Sequence, residues 1–115
     1  MMTETCIFCK IIKKDLPAII VFENEEFIVF HDKNPISELH LLLVTKKHIE
    51  SLQSISINDS EWLGRMIALI PEIIIQNGCK NGFRVISNAG TNSGQEIPHL
   101  HFHIIGGNSL HKKIL

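Results

Sequence analysis

The chain has 115 residues, of which 44% are hydrophobic and 20% charged, so one globular domain spanning residues 1–115 with a buried core is expected. Eleven basic side chains against 12 acidic ones leave a formal charge of -1, without the basic excess that a nucleic-acid groove or a membrane surface needs. MMTETCIFCKIIKK carries no apolar run behind a basic start, and the longest apolar segment, MIALIPEIII, is broken at Pro71 and Glu72, far short of the ~20 residues that span a bilayer; a cytoplasmic protein is expected.

In CIFCKIIKK the apolar residues Ile7, Phe8, Ile11 and Ile12 fall at helical spacing, which predicts a short amphipathic helix closed by Pro17. AIIVFENEEFIVFHD reads as two strands split at Asn24-Glu25, a hairpin ending at Asp32, and the Asn-Pro pair of KNPIS marks a loop. ELHLLLVT is apolar on both faces, which places a third strand centrally in the sheet. NDSEWLGRMIALIPEIIIQNG is the long helix. Asn58 and Glu61 have capping-box spacing, Trp62, Leu63, Met66, Ile67, Ile70, Ile73 and Ile74 form its buried stripe, and Asn77-Gly78 stops it. Pro71 removes a backbone donor inside that helix, so a bend is expected there. GFRVISN is a fourth strand, AGTNSGQE a loop of turn formers, and IPHLHFHIIG a fifth strand. Five strands with grouped helices predict an α+β domain: a five-stranded antiparallel sheet with one long and one short helix.

HLHFHIIGG holds three of the seven histidines at alternate positions. Side chains alternate across a strand, so His99, His101 and His103 share one face, roughly 7 Å apart, while Leu100, Phe102 and Ile104 enter the core. Such a row serves as metal ligands, as the polar face of an ordinary strand, or as a phosphate site with one neutral ring as nucleophile and its neighbours as donors. The glycines of GTNSGQ let backbone N–H groups approach an anion, although no Gly-Lys-Ser/Thr follows, so this is not a Walker loop. Asp32 by itself reads equally as a turn residue before Asn34-Pro35 or as a ligand, Phe30 as core and His31 as surface. CIFC permits zinc, redox chemistry or two inert thiols; only five residues precede Cys6, which leaves no room for the strand that opens a thioredoxin-like site.

HLHFHII has the His-φ-His-φ-His-φ-φ pattern, and IFCKIIKKDLPA, FHDKNP, LLLVTKKHI, GRMI and GQEIPHLHFHIIGG resemble successive blocks of the histidine triad superfamily, in its bacterial-type nucleotide-binding branch. The resemblance implies a homodimeric α+β hydrolase that binds a purine nucleotide such as AMP and cleaves nucleoside 5′-phosphoramidates or related nucleotidyl bonds through a nucleotidyl-histidine intermediate, with no metal required for catalysis. It implies His101 as nucleophile, His103 as phosphate contact, and His99 with His40 as orienting groups. Asp32 would hold the ribose, Leu16, Phe30 and His31 the base, and Asn88 and Gly94 the phosphate. Glu96 stands beside the phosphate where many relatives carry Ser, Lys33 stands at a usually apolar position, Pro98 replaces an aromatic residue, and the tail NSLHKKIL matches no pattern that indicates specificity. Bacterial-type members also carry such cysteines, which implies a structural zinc on Cys6, Cys9, His48 and His99; Cys79 is then an ordinary thiol. Three other readings remain: a dinucleoside polyphosphate hydrolase of the same superfamily, a hydrolase whose zinc sits on the three triad histidines, and a non-catalytic nucleotide- or partner-binding module.

Overall fold

The computed structural model describes residues 5–79 and 81–107; the tail 108–115, which carries the unmatched sequence, lies outside the described residues. Its elements in chain order are α1 (Ile7–Ile12), β1 (Ile20–Glu23), β2 (Phe27–His31), β3 (Leu39–Thr45), α2 (Ser60–Gln76), β4 (Phe83–Ile86) and β5 (His101–Gly106), with short 3-10 turns at Leu52–Ser54, Ile57–Asp59 and Thr91–Ser93. The strands form one antiparallel sheet in the order β1-β2-β3-β5-β4, so the doubly apolar β3 is central, as its composition predicts. The β1-β2 hairpin turns at Asn24, whose side-chain Oδ1 accepts the Glu26 and Phe27 amides.

The alternation of β3 and β5 gives the sheet two apolar faces, each covered by a different helix. Leu41, Leu43, Leu100, Phe102 and Ile104 pack with Met66, Ile70, Ile73 and Ile74 of α2. Ile28, Phe30, Leu42 and Val44 pack with Phe8, Ile11 and Ile12 of α1. This second face carries His40, His101 and His103: β3-β5 pairing sets Leu42 opposite His103 and Val44 opposite His101.

Several local expectations need correction. The capping box is Ser56 with Asp59, two residues earlier than Asn58 with Glu61, and it caps the 3-10 turn that leads into α2. Ser56 wins because its hydroxyl accepts the Asn58 amide and the Asp59 carboxylate returns to the Ser56 N–H. Ile67 falls off the buried stripe and is 44% exposed. Helix α2 runs through Pro71 as one element, and because Ile67 and Pro71 both lie on its exposed side, the carbonyl deprived of a donor can be hydrated. The fourth strand is shorter than GFRVISN, spanning Phe83–Ile86. The fifth starts at His101, not at residue 97, so His99 precedes the ladder. Pro98 has no N–H to offer β3, and the chain from Ile97 to Leu100 turns off the sheet edge, with the Leu100 amide donating to the Ile49 carbonyl at 2.6 Å.

Candidate functional site

Displacement from the ladder makes His99 different from its two companions. Its Nε2 donates to the Thr45 carbonyl at 2.6 Å, where a continuing strand would have placed a backbone amide, and so its Nδ1 is the bare nitrogen. That Nδ1 lies 3.3 Å from Cys6 Sγ and 3.6 Å from Cys9 Sγ, while Cys9 Sγ lies 3.3 Å from His48 Nδ1. The ligand atoms of Cys6, Cys9, His48 and His99 all lie within 4.8 Å of one another. A tetrahedral ion with Zn–S near 2.3 Å and Zn–N near 2.1 Å has an S···N edge of about 3.5 Å. The donor set and its spacing therefore fit a metal ion. Local sequence builds the cluster: Cys6 is the N-cap of α1, its sulfur accepting the Cys9 amide, and one helical turn brings the two sulfurs to the same end. The Thr45 carbonyl orients the His99 ring as an outer partner does for a metal-bound imidazole.

Burial pushes the Cys6 thiol up and the His99 imidazole down to about 4, because neither charge is solvated there. Without a metal, the unfolded chain takes up a proton at His99 near pH 6.5 whereas the folded chain waits until about pH 4, so stability is full above that window and falls as pH drops through it. Desolvation lowers His40, His101 and His103 in the same sense. In urea unfolding of chelator-treated protein, the unfolding free energy is expected to drop between pH 7 and pH 5, by about 1.4 kcal/mol per pH unit for each proton taken up, and the midpoint with it; equal midpoints would contradict a buried neutral His99.

The other histidines form a directional chain. His101 Nδ1 donates to the His99 carbonyl at 2.6 Å, which leaves Nε2 bare. The Ile36 amide donates to His40 Nδ1 at 3.1 Å, so the proton of neutral His40 sits on Nε2 and reaches His103 Nδ1 at 2.9 Å. His103 in turn carries its proton on Nε2, as a donor. Asp32 does both things its sequence position allows: Oδ1 accepts the Asn34 amide at 2.7 Å to close the turn, and Oδ2 lies 3.4 Å from His40 Nε2.

Asp32, His40 and His103 also cluster within metal-ligating reach. A metal there would need His40 Nε2 stripped of its proton while Nδ1 still accepts from Ile36, which is unfavourable. The free lone pairs of the triad point to separate partners, His99 to the cysteines, His103 to His40 and His101 to neither; a single metal shared by all three would have to break these bonds.

Two connected depressions adjoin the histidines. A cleft of about 690 Å³ is lined by Ile7, Phe8, Ile11, Pro17, Ala18, Ile19, Phe30, His31, Asp32 and Lys33, among others. A chamber of about 260 Å³ is lined by Asp32, Asn88, Gly94, Gln95, Glu96, His101 and His103, with Phe8, Leu42 and Ile97 behind them. Of the residues expected to hold the nucleotide, all but Leu16 line one of these spaces, while His40 and His99 line neither; the left-handed Lys14 and the following Pro17 carry the chain so that Pro17–Ile19 form the wall. Two residues escaped the sequence reading. Phe8 packs edge-on against Phe30, His99 and His101 at ring separations of 5.7, 5.8 and 5.0 Å. Gln95 ties the glycine loop down, accepting the Gly90 amide and donating to the Glu50 and Ile97 carbonyls. A lone Phe in a helix stripe reads as core, and a Gln in a turn-rich loop gives no signal of its own.

Among the described residues no helix is long and apolar enough to cross a membrane. A family model described as the scavenger mRNA decapping enzyme C-terminal binding domain matches residues 5–114. Protein HitA of Neisseria gonorrhoeae is 44% identical over 103 residues, covering 90% of this chain and 96% of that protein. Among solved structures, a HIT family hydrolase from Clostridium thermocellum superposes with a TM-score of 0.93 at 36% identity, covering 99% of this chain and 100% of that one. A histidine triad protein from Clostridium difficile superposes with a TM-score of 0.92 at 38% identity, covering 98% and 99%. With the fold, the triad strand and these relatives in agreement, the chain belongs to the histidine triad superfamily.

Proposed function

We propose that this protein is a nucleotidyl hydrolase, a single-domain, cytoplasmic homodimer that cleaves purine nucleoside 5′-phosphoramidates or related nucleotidyl bonds. The observation that carries this reading is the 2.6 Å bond from His101 Nδ1 to the His99 carbonyl, which leaves a bare Nε2 on a ring that borders the small chamber beside the apolar cleft. The purine lies in the cleft against Phe30 and His31, and Asp32 accepts hydrogen bonds from the ribose hydroxyls. The α-phosphate lies in the chamber among His103, Asn88 and the Gly94 backbone. His101 Nε2 forms a bond to phosphorus as the P–N bond of the substrate, its nitrogen protonated from solvent, breaks and the electron pair leaves with the neutral amine. The positive charge that develops on the His101 ring is stabilised at Nδ1–H by the His99 carbonyl. Water then adds to phosphorus, the P–Nε2 bond breaks, and the nucleoside monophosphate departs. His40 and His103 stay neutral at working pH, since desolvation lowers both, and His103 offers its Nε2–H to a phosphate oxygen. Zinc held by Cys6, Cys9, His48 and His99 would supply structure to α1 and to the His99 ring, not chemistry at phosphorus.

Turnover of adenosine 5′-phosphoramidate and of diadenosine tetraphosphate, measured with and without exhaustive chelation, tests the reading. Phosphoramidate hydrolysis that survives chelation of still-folded protein is expected. Loss of activity without unfolding would favour a catalytic metal, preference for the tetraphosphate would favour the dinucleoside polyphosphate branch, and AMP binding without turnover would favour a binding module.

A further inference from the structure

The phosphate chamber is unusual for the charge it lacks. Among the described residues that line it there is no Lys or Arg, but there are two carboxylates, Asp32 and Glu96. Lys33 lines the nucleoside cleft instead. A site built to release an anionic leaving group, above all a polyphosphate, places cations or bidentate guanidinium groups where that charge departs. Here neutral imidazoles and backbone amides suffice for one α-phosphate, and among the described residues that line the chamber no positive side chain is left over for a second.

Glu96 occupies the point that matters. It lines both the cleft and the chamber, and it is solvent-exposed at their shared rim. Its segment is held in place, since Gln95 beside it bonds to both the Gly90 amide and the Ile97 carbonyl. It is close enough to His103 for its charge to favour that ring's protonated form. In-line attack places the leaving group on the side of phosphorus away from His101, and Glu96, with Asn88, Gly94 and Gln95, is among the other residues that line the chamber.

Building on the hydrolase reading above, we infer that Glu96 selects leaving amines that bear positive charge, so that cationic phosphoramidates are the preferred substrates and anionic leaving groups, polyphosphates included, are rejected. The reacting nitrogen enters protonated, as P–NH2R⁺, with an N–H donated to the Glu96 carboxylate. His101 Nε2 bonds to phosphorus, the P–N bond breaks with its electron pair returning to nitrogen, and the amine leaves neutral, so no further proton donor is needed. A second cationic group on the amine gains from the same carboxylate, and an anionic one is repelled.

The test uses the full chain and three adenosine 5′-phosphoramidates of equal length, whose leaving amines end in an ammonium, a hydroxyl or a carboxylate. In wild type, kcat/KM is expected to fall in that order, with ammonium over carboxylate by about tenfold, two exposed charge contributions combined. The ratio shrinks at high salt as the charges are screened. Glu96→Gln is expected to cut it by about threefold or more, and Glu96→Lys to cut it further, while unsubstituted adenosine 5′-phosphoramidate is still hydrolysed. A wild-type ratio at or below one, or a ratio unchanged in both variants even if kcat falls uniformly, overturns the inference. Wild type that hydrolyses none of the phosphoramidates overturns the hydrolase reading itself, which is a distinguishable result.

Discussion

His101→Ala is expected to lower turnover of a nucleoside phosphoramidate by at least about 10³-fold while AMP affinity changes by no more than about fivefold. Among the described residues that line the chamber, no other imidazole can take over the attack. His103 Nδ1 is occupied by His40 and its Nε2 carries the proton, His99 Nδ1 faces the cysteines, and Asp32 is held by the Asn34 amide and His40. AMP binding survives because the cleft, Asp32, Asn88 and the glycine loop are untouched. The loss must appear in kcat, since a nucleophile contributes in the transition state rather than to ground-state binding. Steady-state kinetics combined with calorimetric AMP titration checks both halves. Residual activity above a few percent in protein free of wild type, or loss of AMP binding in step with activity, would remove His101 from its assigned role. His101→Gly with added imidazole is the companion measurement: rescue by a diffusible ring restores the chemistry without restoring the side chain.

The sequence exposes this site well because its parts are local. Alternation along HLHFHII dictates that Leu100, Phe102 and Ile104 enter the core with α2, and the chain obeys. The doubly apolar ELHLLLVT has to be central, and β3 is. What the pattern cannot reveal is where regular pairing ends. His99 looks equivalent to His101 and His103 by spacing, yet Pro98 and the Ile49 carbonyl draw it off the sheet, and that step alone gives it a separate set of partners. The capping box shows the same weakness on a smaller scale, since Ser56 and Asn58 both offer acceptable side chains and only the geometry of the preceding turn chooses. Phe8 is invisible for a different reason: its importance comes from contact with residues 22 and more positions away along the chain, and no periodicity encodes that. Pairing of the cysteines with His48 and His99 likewise follows from β3 and α1 meeting on one face, and the sequence indicates it only through resemblance.

Removal of metal is the second large expected effect, and it separates structure from chemistry. Cys6 and Cys9 flank Phe8 at the start of a six-residue helix, too short to be stable on its own. Zinc held by Cys6, Cys9, His48 and His99 would fasten that helix to the end of β3 and to the segment before β5. At a thousandfold excess over the dissociation constant the stabilisation is about 4 kcal/mol, which corresponds to a melting shift of roughly 15 °C for a chain of this size. Because Phe8 and Ile7 form one wall of the large cleft and Phe8 also rests on His101, a loosened α1 is expected to raise KM several-fold, with a smaller change in kcat. Metal analysis should return about one equivalent of zinc in protein never exposed to chelator and less than ~0.2 equivalents in Cys9→Ser, since three ligands no longer close the tetrahedron. Protein whose melting point and metal content are both indifferent to Cys9→Ser would show that the four side chains are thiols and imidazoles in simple hydrogen-bonded contact. If chelation instead abolished kcat at an unchanged melting point, the metal would belong to the reaction, and the tautomers deduced for His40, His101 and His103 would have to be revised with it.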